Sequence, residues 1–237
     1  KEYRRQRQMC IRDSGIADFQ TKKNDAEKLI LFQTEAASKI DRNSIPYAID
    51  RKEGDLTLTD ITRSAIQFMS KDLSKGFFLM IEGGKIDWAC HSNDAATAFR
   101  EVEDLNNAIK EAYAFYTQHP DETLIVITAD HETGGLVLGT GEYALNLQVL
   151  QNQKVSESGL TRILNQLRTE TGNKVSWEQV EQALRTNFGF WDKVKLTSEQ
   201  EKRLREVYDR TFTGAQVKLE KLSLIHISEP TRHLRIS

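Results

Sequence analysis

Two short stretches concentrate the residues able to bind a metal and handle an anionic substrate. The first is Glu82-Gly83-Gly84-Lys85-Ile86-Asp87-Trp88-Ala89-Cys90-His91. Asp87 and His91 stand four apart, so one helical turn puts a carboxylate and an imidazole on the same face. That pair suits zinc, which takes both ligand types at roughly 2.0–2.2 Å. The second stretch is Thr128-Ala129-Asp130-His131-Glu132-Thr133-Gly134-Gly135. Adjacent Asp130 and His131 can serve one ion only from irregular backbone, which the glycines permit. Each stretch alone also reads as a turn with a capping aspartate and a surface histidine. Lys85 reads as a solvated turn lysine, Cys90 as a small buried filler and His119 as a helix-end residue.

The elements around these stretches favour the metal reading. Phe77–Ile81 and Leu124–Thr128 are continuous apolar runs whose length and bounds predict strands buried on both faces. Between them, Phe99, Val102, Leu105, Ile109, Ala112 and Phe115 recur at three- and four-residue steps. That pattern predicts a long helix capped by Asn93 or Asp94 and ended at His119-Pro120. Strand, helix, strand with a crossover of this size is a βαβ unit, so a parallel sheet is expected. Glu82 and Asp130 both follow a carboxyl strand end, where ligand sites gather in such sheets. Upstream, Thr59 is placed to cap a helix carrying Ile61, Ala65, Phe68 and Met69. A short strand is expected over Gly135–Leu138. After Gly141 the texture turns to amphipathic helices. Leu160, Ile163, Leu164 and Leu167 form one stripe, Ser176-x-x-Gln179 resembles a capping box, and Thr197–Arg210 faces inward with Leu204 and Val207.

Bulk properties narrow the partners. The chain has 237 residues, 38% hydrophobic and 29% charged, with a formal net charge of -2. No basic face argues for nucleic acid, and no apolar run reaches the ~20 residues of a membrane span. Two cysteines say nothing firm about redox compartment.

Phe77–Asp94, FFLMIEGGKIDWACHSND, and Ile127–Gly135, ITADHETGG, resemble the two metal-binding signatures of alkaline phosphatases, and their spacing fits. Pro46–Arg51, PYAIDR, is similar to a segment upstream of the first signature in bacterial members. The resemblance implies a three-layer α/β sandwich with a mainly parallel sheet. It implies a magnesium ion at Glu82, a first zinc at Asp87 and His91, and a second zinc at Asp130 and His131. It implies hydrolysis of small phosphate monoesters through a phosphoserine, two zinc ions about 4 Å apart clamping the entering and leaving oxygens. A periplasmic or otherwise exported parent is implied, with room for a homodimer. The serine, the aspartate bridging zinc and magnesium, and the third ligand of the first zinc find no match here. Each zinc site thus falls short of the three protein ligands usual for catalytic zinc. The chain alone is therefore expected to bind zinc weakly and to turn over no ester. The rival readings are another metal-dependent phosphotransferase or sulfatase of the same superfamily, and a non-catalytic metal-binding protein.

The two ends read differently from the rest. Met9–Asp13 can be encoded by ATGTGTATAAGAGACAG and Leu222–His226 by CTGTCTCTTATACACAT, strings that are reverse complements. They resemble the mosaic end of transposase-based sequencing libraries. The expected organisation is therefore residues 1–14 as adapter-derived, 15–138 as a partial α/β core, 139–221 as a helical insertion on that core, and 222–237 as adapter-derived. The adapter-derived ends are expected to pack on nothing.

Overall fold

The structure, a computed structural model, describes residues 10–11, 16–31, 33–41, 44–136 and 147–213. These form two compact units. One comprises residues 1–84 and 100–130, the other 85–99 and 131–237.

In the first unit, β1 (Cys10–Ile11) pairs in parallel with β2 (Ile30–Leu31), Cys10 opposite Ile30. Two residues of the segment expected to be foreign thus take part in a backbone pairing. Residues 1–9, 12–14 and 222–237, which carry the rest of that expectation, lie outside the described residues. Two short helices, α1 (Ile16–Lys22) and α2 (Glu35–Ile40), flank β2. Helix α3 spans Leu58–Met69 and is capped by Thr57, two residues before the expected Thr59. The Thr57 side chain accepts from Asp60 N–H, and the Asp60 carboxylate accepts from Thr57 N–H. This reciprocal box satisfies two amide donors that a helix start otherwise leaves bare.

The first signature forms helix α4 (Gly84–His91), and the long helix α5 (Ala95–Gln118) follows and ends just before His119-Pro120. The buried face of α5 differs from the expected apolar stripe. Phe99 and Val102 are exposed, while Thr97, Glu101, Asp104 and Ala108 are buried at helical spacing. The reason is polar docking from far along the chain. Ala48 N–H donates to Glu101 Oε1 at 2.6 Å, and Arg51 Nη2 donates to Asp104 Oδ2 at 2.7 Å. The Arg51 and Asp104 side chains are only 9% and 10% exposed. Arg51 Nε also donates to Pro46 O, so the PYAIDR segment is laced to α5. Replacing Arg51 with alanine leaves a buried carboxylate without its charge partner. Urea unfolding should show a loss of roughly 3–5 kcal/mol, and Arg51→Met with Asp104→Leu should recover much of it.

The two expected strands are the main correction. Phe77–Ile81 and Leu124–Thr128 carry no regular secondary structure and form no ladder with any described residue. Phe78, Met80, Leu124 and Val126 are 83%, 78%, 87% and 73% exposed. An extended segment becomes a strand only when a neighbour supplies hydrogen bonds to its backbone. No such neighbour exists among the described residues, which are mostly helical, so the parallel-sheet sandwich is not formed among them. Phe77 is held instead by an edge-on contact with Phe115, ring centroids 5.6 Å apart. In the expected short strand at Gly135–Leu138, Gly135 and Leu136 are not in a strand and residues 137–138 lie outside the described residues.

The second unit takes its core from three capped helices. Ser156 caps α6 (Glu157–Glu170), a Ser176/Gln179 box caps α7 (Trp177–Phe188), and a Thr197/Gln200 box caps α8 (Ser198–Tyr208). Leu160, Leu164, Val180, Leu184, Phe188, Phe190, Leu204 and Val207 pack into one core, with Ile163 and Leu167 against it. Trp177 lies between polar and apolar partners. Its N–H donates to Glu181 and the Arg205 guanidinium sits 3.9 Å from its ring centre. Residues 139–146 and 214–221 of the expected insertion lie outside the described residues.

Candidate metal centre

Helix α4 does what the four-residue spacing demands. It sets the Asp87 carboxylate beside the His91 imidazole, with His91 Nε2 3.2 Å from Asp87 Oδ1. The two atoms are close without being hydrogen-bonded, because Asp87 Oδ1 is buried and has no hydrogen-bond partner. A buried carboxylate oxygen facing a ring nitrogen calls for a cation or a proton between them. Two ligands on one tetrahedral zinc, with bonds of ~2.0–2.2 Å, lie roughly 3.3–3.6 Å apart. The spacing of these two atoms is close to that separation.

Asp130 and His131 sit on irregular backbone, as adjacent ligands require, and both are exposed. The backbone carbonyl of Glu132 lies against His131 Nδ1. When Nδ1 donates to that carbonyl, the tautomer is fixed with the lone pair on Nε2, the arrangement metal-binding histidines commonly use. Glu132 Oε2 accepts from Gly135 N–H at 3.0 Å and closes the turn. Gly134 then brings the two signatures together. Its φ is +59°, and a Cβ placed there would lie 2.7 Å from His91 N and 2.9 Å from Cys90 C. The loop that follows His131 therefore rests directly on the backbone of His91, and only a residue without a side chain fits.

Glu82 lies exposed before α4, with its Oε1 beside Gly84. Among the described residues no group of three or more His, Cys, Asp and Glu side chains is close enough to hold one ion. The structure thus brings together Asp87 with His91, and the His131 loop with the His91 backbone.

Of three neighbours of the site, Cys90 meets its expectation while Lys85 departs from it and Asp94 extends it. Lys85, expected to be solvated, is buried with its ammonium 4.7 Å above the Trp88 ring. Cys90 is buried and free. Asp94, read from sequence only as a helix cap, turns out to be buried and bonded to two separate helices.

Residues 31–208 match the family model for alkaline phosphatase. Over 95 residues the chain is 46% identical to alkaline phosphatase 3 of Bacillus subtilis, a match covering 40% of this chain and 20% of that protein. Among solved structures it resembles a cold-active alkaline phosphatase from a psychrophilic Shewanella species. The TM-score is 0.64 and the identity 25%, over 90% of this chain and 49% of that one. The Thermus thermophilus alkaline phosphatase gives a TM-score of 0.56 at 25% identity, over 76% of this chain and 38% of its own. The chain spans about half the length of the first of these structures, and the matched stretch about a fifth of the curated relative. No helix among the described residues is long and apolar enough to cross a membrane. The family model spans most of the chain and the relatives agree with it, so the chain belongs to the alkaline phosphatase family.

Proposed function

We propose that this chain carries the metal-binding portion of a phosphate-monoester hydrolase. Asp87 and His91 would hold one zinc ion, Asp130 and His131 a second, and Glu82 a magnesium ion. The observation that carries this reading is the buried, unpartnered Asp87 Oδ1 facing His91 Nε2 at 3.2 Å. Metal ions held there would polarise a phosphate ester and stabilise charge on its entering and leaving oxygens. The chain's own part is to orient the ligands. Helix α4 fixes Asp87 against His91, the Glu132 carbonyl fixes the His131 ring, and Gly134 fixes the distance between the two signatures. No residue of this chain is assigned the attacking role. Export to the periplasm and a homodimeric assembly of the intact protein go with this reading. So does a mainly parallel sheet in which Phe77–Ile81 and Leu124–Thr128 are strands.

Zinc titration tests the assignment. In NMR spectra of this chain, the ring resonances of His91 and His131 should shift together on adding zinc, while those of His119 stay in place. A chelator should reverse the change. Zinc that leaves both rings unmoved, or that moves His119 instead, would overturn the site. A chromogenic phosphate ester should be hydrolysed by the intact protein and lose its turnover when the metals are removed.

A further inference from the structure

One residue, Asp94, joins three helices. Its backbone closes the end of α4. Asp94 N–H donates to Ala89 O and Asn93 N–H donates to Cys90 O, both at 2.9 Å, with Asn93 at φ +52°. This is the paired bond pattern of a Schellman end, and His91 occupies the last helical position within it. The Asp94 side chain then faces two helix starts. It accepts from Thr97 N–H at 3.2 Å and Thr97 Oγ1 at 2.7 Å in the first turn of α5. It accepts from Glu157 N–H at 2.7 Å in the first turn of α6, and from Gln153 Nε2 at 2.6 Å just before it. A carboxylate suits this place, since helix starts present bare N–H donors and the positive end of the helix dipole. Burial pushes the Asp94 carboxyl above the usual carboxylate range, and the bonds from Thr97, Glu157 and Gln153 oppose that push.

We infer that Asp94 is a positioning residue for the Asp87–His91 turn, acting by clasping the first turn of α6 against the end of α4. The inference rests on the metal reading above for its consequence, and on hydrogen bonds alone for its mechanism. The turn carrying His91 is short and its imidazole is largely exposed. Without the clasp, the end of α4 would keep its own backbone bonds and the close approach of Gly134, but no hydrogen bond from its closing residue to α6. With it, the turn is fastened to a helix whose Leu160 and Leu164 are buried in the core of the second unit.

Two substitutions in the full chain test this. Asp94→Asn keeps the size but sets an NH2 group against donors that need an acceptor. Glu157→Pro leaves Asp94 intact and removes the one N–H that α6 gives it, at the first helical position, where proline is accepted. Amide exchange without zinc and zinc affinity by chelator competition are the two readouts. Both variants should speed exchange at Ser92, Asn93 and Asp94 about tenfold or more, and leave the amides of α7 and α8 unchanged. Both should weaken zinc binding by about tenfold, within the range usual for residues supporting a metal ligand. Faster exchange confined to the first turns of α5 and α6, or zinc affinity within twofold of the parent chain, would overturn the inference. If Asp94→Asn fails to fold, Glu157→Pro decides alone. If the parent chain binds no zinc, the metal reading fails by itself and the zinc-free exchange still decides whether Asp94 holds the turn.

Discussion

Replacing Gly134 with alanine is expected to dismantle the proposed metal centre, while the same change one residue later is expected to leave it standing. Both glycines have positive φ, +59° at Gly134 and +67° at Gly135, so alanine at either costs on the order of 1–2 kcal/mol in backbone strain. Their surroundings separate them. A Cβ at Gly134 would meet His91 N, His91 Cα and Cys90 C at 2.7, 2.8 and 2.9 Å. A Cβ at Gly135 would meet nothing within 4 Å. The atoms opposing Gly134 are backbone and cannot rotate aside, so either the loop or the end of α4 must move. Movement of either changes where His131 stands relative to His91. Zinc affinity should fall on the order of a hundredfold in Gly134→Ala, the upper end of what displaced support of a ligand produces. Gly135→Ala should stay within a few-fold of the parent chain. His91→Ala should lose zinc with the melting temperature of the zinc-free chain nearly unchanged, because its ring is largely exposed. Gly134→Ala should lower that melting temperature as well. Equal damage from Gly134→Ala and Gly135→Ala would show that strain, not close approach, accounts for the loss.

What could be read from the sequence follows the range of the interactions concerned. Short-range features were legible. The Ser176/Gln179 box, the Leu160–Leu164 stripe, the inward Leu204 and Val207 and the shared face of Asp87 and His91 all depend on residues a turn or two apart. The Thr57 cap was missed by two positions, although Thr57-x-x-Asp60 is itself a capping pattern with aspartate in place of glutamate. Long-range polar contacts were not legible. Periodicity marked Phe99 and Val102 as the inner face of α5. Its buried face carries Glu101 and Asp104, because Ala48 N–H and Arg51, 53 residues earlier, need acceptors there. Lys85 looked solvated because a lysine in a glycine-rich turn usually is, whereas it is buried with its ammonium over the Trp88 ring three residues on. At the candidate site, the sequence put Asp87 and His91 on one face and placed glycines beside His131. It gave no sign that Gly134 would rest on the backbone of His91, since that approach links residues 43 apart.

The chain is expected to self-associate through its two exposed apolar runs, Phe77–Ile81 and Leu124–Thr128, and lysines placed on those runs should keep it monomeric. Phe77, Leu79 and Ile81 are half-buried while Phe78 and Met80 are exposed, the period of two that a strand shows with only one face covered. In the second run Leu124, Val126 and Ile127 are exposed and Ile125 is half-buried. Burying one exposed side chain of this class gains about 1.5–3 kcal/mol, so five of them offer on the order of 10 kcal/mol before the cost of association. The backbone adds a second drive, because neither run has a ladder partner among the described residues and such a run is a template for another strand. Apolar faces and unpaired backbone thus favour the same event, and charge is the usual device against it. Phe78→Lys combined with Val126→Lys puts one ammonium on each run and alters no proposed metal ligand. Sedimentation velocity should show the parent chain passing into oligomers as concentration rises. The double variant should remain a monomer at about tenfold higher concentration, the factor that corresponds to ~1.4 kcal/mol. Amide exchange should agree: in the parent chain the amides of both runs should become protected on association, and those of α7 and α8 should not change. A parent chain that stays monomeric at high concentration, or a double variant that associates as readily, would mean that these runs are not the strands their sequence describes.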